Sequence, residues 1–353
     1  MALLMLRVSL SALFISEISS EASQCTKNND CIPLSQCNPQ YLSSILYPCH
    51  SGLNLYCCPT KAAKNETITN LLNRRKHLFP VNCGVVAIDN KITGGDIADL
   101  GQFPWMALLG YKQKRVDFIE YLCGGTIITE TYVLTAAHCI GVGKHHKLVQ
   151  VRLGEHDLRS STDCQVYHGK RVCSDNPVDI PVLSTLRHPN YHTRTLKNDI
   201  ALVRLKTIIT FTDFIQPICL PFERKLDKKV FTGQKFIVCG WGKTDSRNLG
   251  GSPTLQFASV SVWDQKNCNK VVPPEVQPIT GSQLCANGKK EDACKGDSGG
   301  PLINSTVDVD GELRNFQIGI VSFASTLTCG IKELPPIYTR VDRYLEWIAD
   351  NVK

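Results

Sequence analysis

The sequence predicts an all-β domain preceded by a small disulfide-rich module, and three observations carry that reading. From about residue 92 onward, short apolar runs such as Leu148–Leu153, Ile200–Leu205 and Phe236–Cys239 are separated by clusters of Gly, Pro, Asn and Asp. Many short strands with turn signals between them point to a sandwich or barrel, not to alternating strands and helices. Six cysteines (Cys25, Cys31, Cys37, Cys49, Cys57 and Cys58) crowd into residues 25–58, a segment too short to bury much of a core, so cross-links must hold it. The exception to the β pattern closes the chain. Val341, Tyr344, Leu345 and Ile348 recur at the spacing of an amphipathic helix that docks on the body.

Taken in order, residues 1–22 carry Arg7, an apolar run from Val8 to Ile15 and small residues near Ala22. They read as a secretory signal cleaved after Ala22, since the run is too short to span a bilayer. The expected address is therefore secreted and extracellular, an oxidising compartment in which most of the 17 cysteines pair. Seventeen is odd, so at least one thiol lacks an internal partner. Cys57 and Cys58 are adjacent and do not pair with each other, because a vicinal bridge strains the disulfide. Asn65-Glu66-Thr67 and Asn304-Ser305-Thr306 are glycosylation sequons, and Asn65 is the expected acceptor.

Residues 59–82 are polar, without sustained apolar periodicity, and residues 59–91 read as a linker between the module at 25–58 and the domain at 92–353. The net charge of +7 is modest for 353 residues and suits a mixed, solvated surface. The basic cluster Arg74-Arg75-Lys76 lies in the linker with no aromatic residues interleaved, which argues against a nucleic-acid site. Neither nucleic acid nor a membrane is an expected partner.

Three segments carry the chemistry: Leu134-Thr135-Ala136-Ala137-His138-Cys139, Asn198-Asp199-Ile200-Ala201-Leu202 and Gly296-Asp297-Ser298-Gly299-Gly300-Pro301. Acyl transfer by a serine requires a base for its hydroxyl proton, a carboxylate that fixes the base's tautomer, and backbone donors for the oxyanion. Ser298, His138 and Asp199 supply the serine, the base and the carboxylate, in the chain order His, Asp, Ser. The glycines around Ser298 permit a tight turn in which the amides of Gly296 and Ser298 converge on one oxygen. A lone histidine beside a cysteine is ordinarily a packed side chain, and a lone Gly-Asp-Ser-Gly an ordinary loop; all three segments in this order make coincidence a poor account.

On these motifs, residues 92–353 resemble a trypsin/chymotrypsin-family serine protease and residues 25–58 resemble an arthropod clip domain. Together they are similar to the arthropod clip-domain serine proteases, of the easter-like and prophenoloxidase-activating-enzyme-like kind. The resemblance implies a chymotrypsin-like double six-stranded antiparallel β-barrel with a C-terminal helix. It implies Ser298 as nucleophile, His138 as general base and acid, Asp199 as the orienting carboxylate and Ser322 as the residue that helps hold Asp199. It further implies a zymogen cut after Lys91, whose new Ile92 ammonium buries against Asp297. The implied partners are protein substrates (downstream zymogens), an upstream activating protease and a serpin inhibitor, in coagulation, melanisation or Toll-type cascades.

The resemblance also implies a cysteine pairing: Cys25–Cys57, Cys31–Cys49 and Cys37–Cys58 in the clip domain, and Cys123–Cys139, Cys268–Cys285 and Cys294–Cys329 in the protease domain. Cys83–Cys219 would tether the two, and Cys164–Cys173 would close an inserted loop. Cys239 remains. In some relatives a cysteine at this place pairs with one six residues beyond the nucleophile, which here is Asn304. A buried thiol or an intermolecular bridge are the two readings for Cys239.

Specificity departs from the family pattern. Asp292 matches the acidic base of a pocket for Arg or Lys, but the glycine walls of such pockets are Ala324 and Pro336 here, and the wall aromatic is Phe323. The first reading is cleavage after Arg or Lys; a narrowed pocket is the alternative. No cofactor is required, although related inserted loops bind structural Ca2+, and Glu155, Asp157 and Asp163 are the candidate ligands against the simpler reading of a solvated acidic loop. His145, His146 and His188 lack zinc-type spacing and read as surface residues. Two rival functions complete the field. A non-catalytic clip-domain adaptor would have lost its nucleophile, and a digestive protease would have little use for the module.

Overall fold

The computed structural model describes residues 29–33, 48–50, 55–59, 76–86, 97–114, 116–143, 145–222, 231–243, 250–276, 278–288, 297–307, 312–323 and 335–353, with backbone alone described for the strands before residue 60. The chain divides into two compact units, residues 1–74 and 75–353. No helix among the described residues is long and apolar enough to cross a membrane.

In the first unit, β1 (Asn29–Pro33), β2 (Pro48–His50) and β3 (Leu55–Pro59) form an antiparallel sheet in the order β1-β3-β2. Its register places Cys31 opposite Cys57 and Asp30 opposite Cys58. The cysteine side chains of this unit, and with them the expected clip pairing, lie outside the described residues.

The second unit holds two closed antiparallel barrels. The first comprises β4 (Met106–Gln113), β5 (Ile119–Ile127), β6 (Tyr132–Thr135), β7 (His146–Leu153), β10 (Val178–Arg187) and β11 (Ala201–Leu205), in the order β10-β11-β6-β5-β4-β7. Between β7 and β10 an inserted hairpin, β8 (Cys164–Tyr167) and β9 (Lys170–Cys173), forms its own two-stranded sheet. The second barrel comprises β12 (Lys235–Gly240), β13 (Gln256–Val262), β14 (Gln283–Asn287), β15 (Pro301–Val307), β16 (Leu313–Phe323) and β17 (Ile337–Arg340), in the order β12-β13-β14-β17-β16-β15. Around each ring the first, second and third strands are sequential neighbours. The third then pairs with the sixth, the sixth with the fifth, the fifth with the fourth, and the fourth closes on the first. The double six-stranded barrel expected from the resemblance is the architecture observed.

The alternation expected of half-buried strands holds where one face meets a barrel core. Val133, Val151, Leu153 and Val203 fill the first barrel, and Val238, Val260, Leu302, Ile318 and Tyr338 the second. The expected helix begins later than its apolar pattern. Val341 opens a 3-10 turn, Val341–Arg343, and α2 covers Leu345–Asn351, whereas α1 covers Gln265–Val271 with Asp264 as N-cap. All four apolar positions of the pattern are nonetheless buried.

The segment read as a linker, 59–91, is divided by the structure. Its described second half lies on the barrel unit: Phe79 packs on Phe222, and Cys83 is bonded to Cys219. Gly84 donates to Pro217 O at 2.7 Å and its carbonyl accepts from Asn315 N at 3.0 Å. Polar composition did not reveal this, because the attachment is made by a disulfide and backbone hydrogen bonds.

Candidate active site

The first barrel presents His138 and Asp199. His138 lies in the 3-10 turn Ala137–Gly141, just after β6. Tyr111 of β4 fixes that turn, its phenol donating to Cys139 O at 2.7 Å from a fully buried position. Burial pushes the Tyr111 phenol up, so it remains a donor.

Asp199 is itself fully buried, just before β11. Its Oδ2 accepts from His138 Nδ1 at 2.7 Å and from Ser322 Oγ at 2.6 Å, while Oδ1 accepts from the His138 backbone N at 2.9 Å. An ionised carboxylate has no proton to give, so these partners place the ring proton on Nδ1 and leave Nε2 as an acceptor. Thr339 Oγ1 of β17 donates to Asp199 O at 2.8 Å. Ser322 and Thr339 belong to the second barrel, so that barrel helps hold a residue of the first.

Ser298 sits in the turn that enters β15. Its carbonyl accepts from Gly124 N of β5 at 2.8 Å, which locks the turn against the first barrel. The same carbonyl lies 3.6 Å from Cys139 Sγ, and that sulfur is 3.6 Å from His138 Nε2. The Cys123–Cys139 bond thus stands between the two, and among the described residues no hydrogen bond joins Ser298 Oγ to His138. Such bonds commonly tighten only once substrate is bound. Gly299, at φ +82°, makes the turn possible; a Cβ there would stand 2.5 Å from Gly124 O and overlap Thr135 Oγ1. Gly300 N closes the turn on Asp297 O at 2.9 Å.

Asp297 is buried, and its Oδ1 accepts from Gly242 N at 2.8 Å. A Cβ at Gly242 would come within 2.5 Å of the Asp297 carboxylate, and one at Gly240 would overlap it as well. Lys91, Ile92, Gly296, Asp292, Ala324, Asn65 and the Cys294–Cys329 pair lie outside the described residues. Of the expected pocket, Pro336 is buried with its carbonyl accepting from Ala286 N at 3.2 Å. Phe323 packs with Trp263 on the cluster of Cys268, Val272, Ile279 and Ile337.

Four disulfides are present among the described residues: Cys83–Cys219, Cys123–Cys139, Cys164–Cys173 and Cys268–Cys285. Cys239 is unbonded and buried, with its Sγ 3.4 Å from Met106 Sδ. The relation drawn between Cys239 and Asn304 needs correction. The ladder sets Ile237 opposite Ile303 and Val238 opposite Leu302, so Cys239 runs toward Pro301 and away from Asn304.

The carboxylates of the acidic loop are engaged by protein donors. Asp157 is forked by Arg159, whose Nε and Nη2 donate at 2.8 and 2.5 Å; Asp163 accepts from Asp157 N at 2.9 Å and from Ser160 Oγ; Glu155 accepts from His156 N at 2.9 Å beside Arg152. Each carboxylate is turned to protein donors, and the three are not grouped as one ligand set among the described residues. The one grouping of metal-type donors there, Cys123, His138 and Cys139, arises from a disulfide beside a histidine and offers no thiolate. The histidines read as surface residues are partly engaged: His146 Nε2 meets Glu120 at 3.0 Å, and His188 packs on Tyr344 and Trp347.

Sequence reasoning missed Tyr111 and Thr339. The latter lies 140 residues from Asp199, so no local pattern could have joined them.

Two antiparallel barrels with a buried Asp–His pair facing a serine turn define a serine protease. The Trypsin family matches residues 92–348. The chain is 35% identical to phenoloxidase-activating factor 1 of Holotrichia diomphalia over 361 residues, covering 95% of each protein. It is 38% identical to melanization protease 1 of Drosophila melanogaster over 277 residues, or 77% of this chain and 68% of that protein. The crystal structure of the Drosophila Grass clip serine protease of the Toll pathway superposes with a TM-score of 0.67 at 32% identity, covering 84% of this chain and 81% of that one. The chain belongs to the arthropod clip-domain serine proteases of the trypsin family.

Proposed function

We propose that the protein is a secreted zymogen endopeptidase, activated by cleavage after Lys91, that performs limited proteolysis in an extracellular cascade of the melanisation or Toll type. Its parts are a signal peptide at 1–22, a clip domain at 25–58 and a protease domain at 92–353. Relatives named for phenoloxidase activation, melanisation and the Toll pathway support the cascade reading. The observation that carries the catalytic reading is the Asp199 carboxylate, held by His138 N, His138 Nδ1 and Ser322 Oγ.

In this reading Ser298 Oγ attacks the scissile carbonyl carbon as its proton passes to His138 Nε2. Asp199 stabilises the resulting imidazolium, and the amides of Gly296 and Ser298 receive the oxyanion. Collapse breaks the C–N bond, and the Nε2 proton leaves with the amine. Water then attacks the acyl-enzyme by the same proton path, restoring Ser298. Asp292 would select Arg or Lys before the scissile bond. Cleavage after Lys91 would free the Ile92 ammonium to neutralise buried Asp297, ordering the turn that holds Ser298. The partners are downstream zymogens, an upstream protease and a serpin, and Asn65 is the glycosylated residue.

The test is direct. Protein cleaved after Lys91 should take up a serine-directed phosphonate, and Ser298→Ala or uncleaved protein should not; labelling that survives Ser298→Ala would sink the reading. A narrowed pocket is the second reading, favoured by the burial of Pro336 where an open slot needs a glycine. A panel of short amide substrates separates the two: Arg and Lys substrates no better than small apolar ones would exclude the first.

A further inference from the structure

The backbone that delivers Asp199 is bent in an unusual way. Leu196 and Asn198, on either side of Lys197, both adopt left-handed conformations, at φ +51° and +55°. Side chains other than glycine seldom adopt this region, although asparagine tolerates it because its amide can bond locally. The fold holds the bend by satisfying that amide at both ends. Asn198 Nδ2 donates to Asn190 O at 2.8 Å, and Asn198 Oδ1 accepts from Tyr344 Oη at 2.9 Å. Leu196 N donates to His192 O at 2.8 Å, which closes the turn from within.

Tyr344 does not belong to this loop. It lies 146 residues further on, at the N-terminal end of α2. It is buried, and burial raises its phenol, so it stays protonated and able to donate. Its ring meets that of His188 edge-on at 5.3 Å, and His188 also packs on Trp347 of α2 at 5.2 Å. His188 N in turn donates to Ile200 O at 3.0 Å, immediately beyond Asp199. The C-terminal helix therefore grips the Asp199 segment on both sides: through Asn198 before it and through His188 and Ile200 after it.

We propose that Asn198 and Tyr344 are positioning residues for Asp199, fixing the left-handed bend that aims its carboxylate at His138 Nδ1. Among the described residues neither is hydrogen-bonded to Ser298 or Pro336, so their loss is expected to act through the imidazole. A carboxylate turned from His138 stabilises the imidazolium less. That lowers kcat and leaves KM nearly unchanged.

The inference rests on the catalytic reading above, and the experiment keeps the two apart. Activated wild-type protein, Tyr344→Phe and Asn198→Gly are compared by phosphonate active-site titration, steady-state kinetics and thermal unfolding. Tyr344→Phe keeps the ring on His188, and Asn198→Gly keeps the left-handed backbone accessible. The expected result per titrated site is a fall in kcat of roughly 5- to 20-fold in each variant, from the loss of one buried hydrogen bond. KM should stay within about twofold. Unchanged kcat per titrated site, whether or not the unfolding temperature drops, would overturn the proposal. Failure of the wild type itself to titrate would instead overturn the catalytic reading.

Discussion

The two barrels share one strand connectivity, yet they seat their buried carboxylates by opposite means. Asp199, carried by the first barrel, is surrounded by side chains and backbone that donate to it: His138, Ser322 and, at its carbonyl, Thr339. Asp297, carried by the second, occupies space left by glycine at positions 240 and 242. The first seat is defined by donors, mostly side chains, drawn from both barrels; the second has the backbone donor Gly242 N and room that only glycine leaves at 240 and 242. A seat made of donors weakens by degrees as they are removed. One made of space fails abruptly when filled, and it suits a carboxylate that must accept a new partner after cleavage.

Changes at the two seats should therefore differ in kind. The largest effect is expected from Asp199→Asn, which removes the carboxylate that keeps the ring proton on Nδ1. kcat on an amide substrate should fall on the order of 10^4-fold while circular dichroism stays native. A loss below about tenfold would show that the donor-built seat is dispensable. Gly242→Ala comes next. The added methyl meets the Asp297 carboxylate at 2.5 Å, and kcat/KM should drop on the order of 10^2-fold or more, with little phosphonate labelling after cleavage. A variant that labelled at the wild-type rate would mean that space is not what defines this seat. Ser322→Ala, which removes one of several donors, should reduce kcat by about tenfold, in line with the loss of a charge-assisted hydrogen bond.

The smallest effects should come from places that belong to neither seat. Millimolar calcium or a chelator should leave the unfolding temperature unmoved, because Arg159 and Arg152 already face the loop carboxylates; a calcium-dependent rise would require those pairs to open. Burial raises the Cys239 thiol well above its ordinary range, chiefly by desolvating the thiolate. Alkylation at pH 8 should thus be slow in the folded protein and rapid in denaturant. Fast native labelling at this residue would contradict its burial.

What the sequence made legible follows the same division. The strands and the motifs around His138, Asp199 and Ser298 are contiguous, and short contiguous patterns survive in one dimension. The double barrel followed from the resemblance those motifs established. The grip on Asp199 by Thr339, and on Asn198 by Tyr344, joins residues far apart in the chain, so only the closed barrels bring it into view. Cys239 was related to Asn304 by counting along the chain, whereas the β12–β15 register decides which residues face each other. The acidic loop shows a different limit of reading by composition. Its carboxylates looked like a set of ligands, although Arg159 stands two positions from Asp157 and is its partner.

The Cys83–Cys219 bond closes a ring of chain with a sequence separation of 136. Any single nick between those two cysteines leaves one particle, so dilution cannot separate the pieces as it would two molecules. Their re-encounter is intramolecular, at an effective concentration set by the chain and not by the surrounding fluid. Such a nick would be silent on a non-reducing gel and visible only after reduction. Without denaturant the reduced pieces would part slowly, because Gly84 O still accepts from Asn315 N and Nδ2 and Gly84 N still donates to Pro217 O.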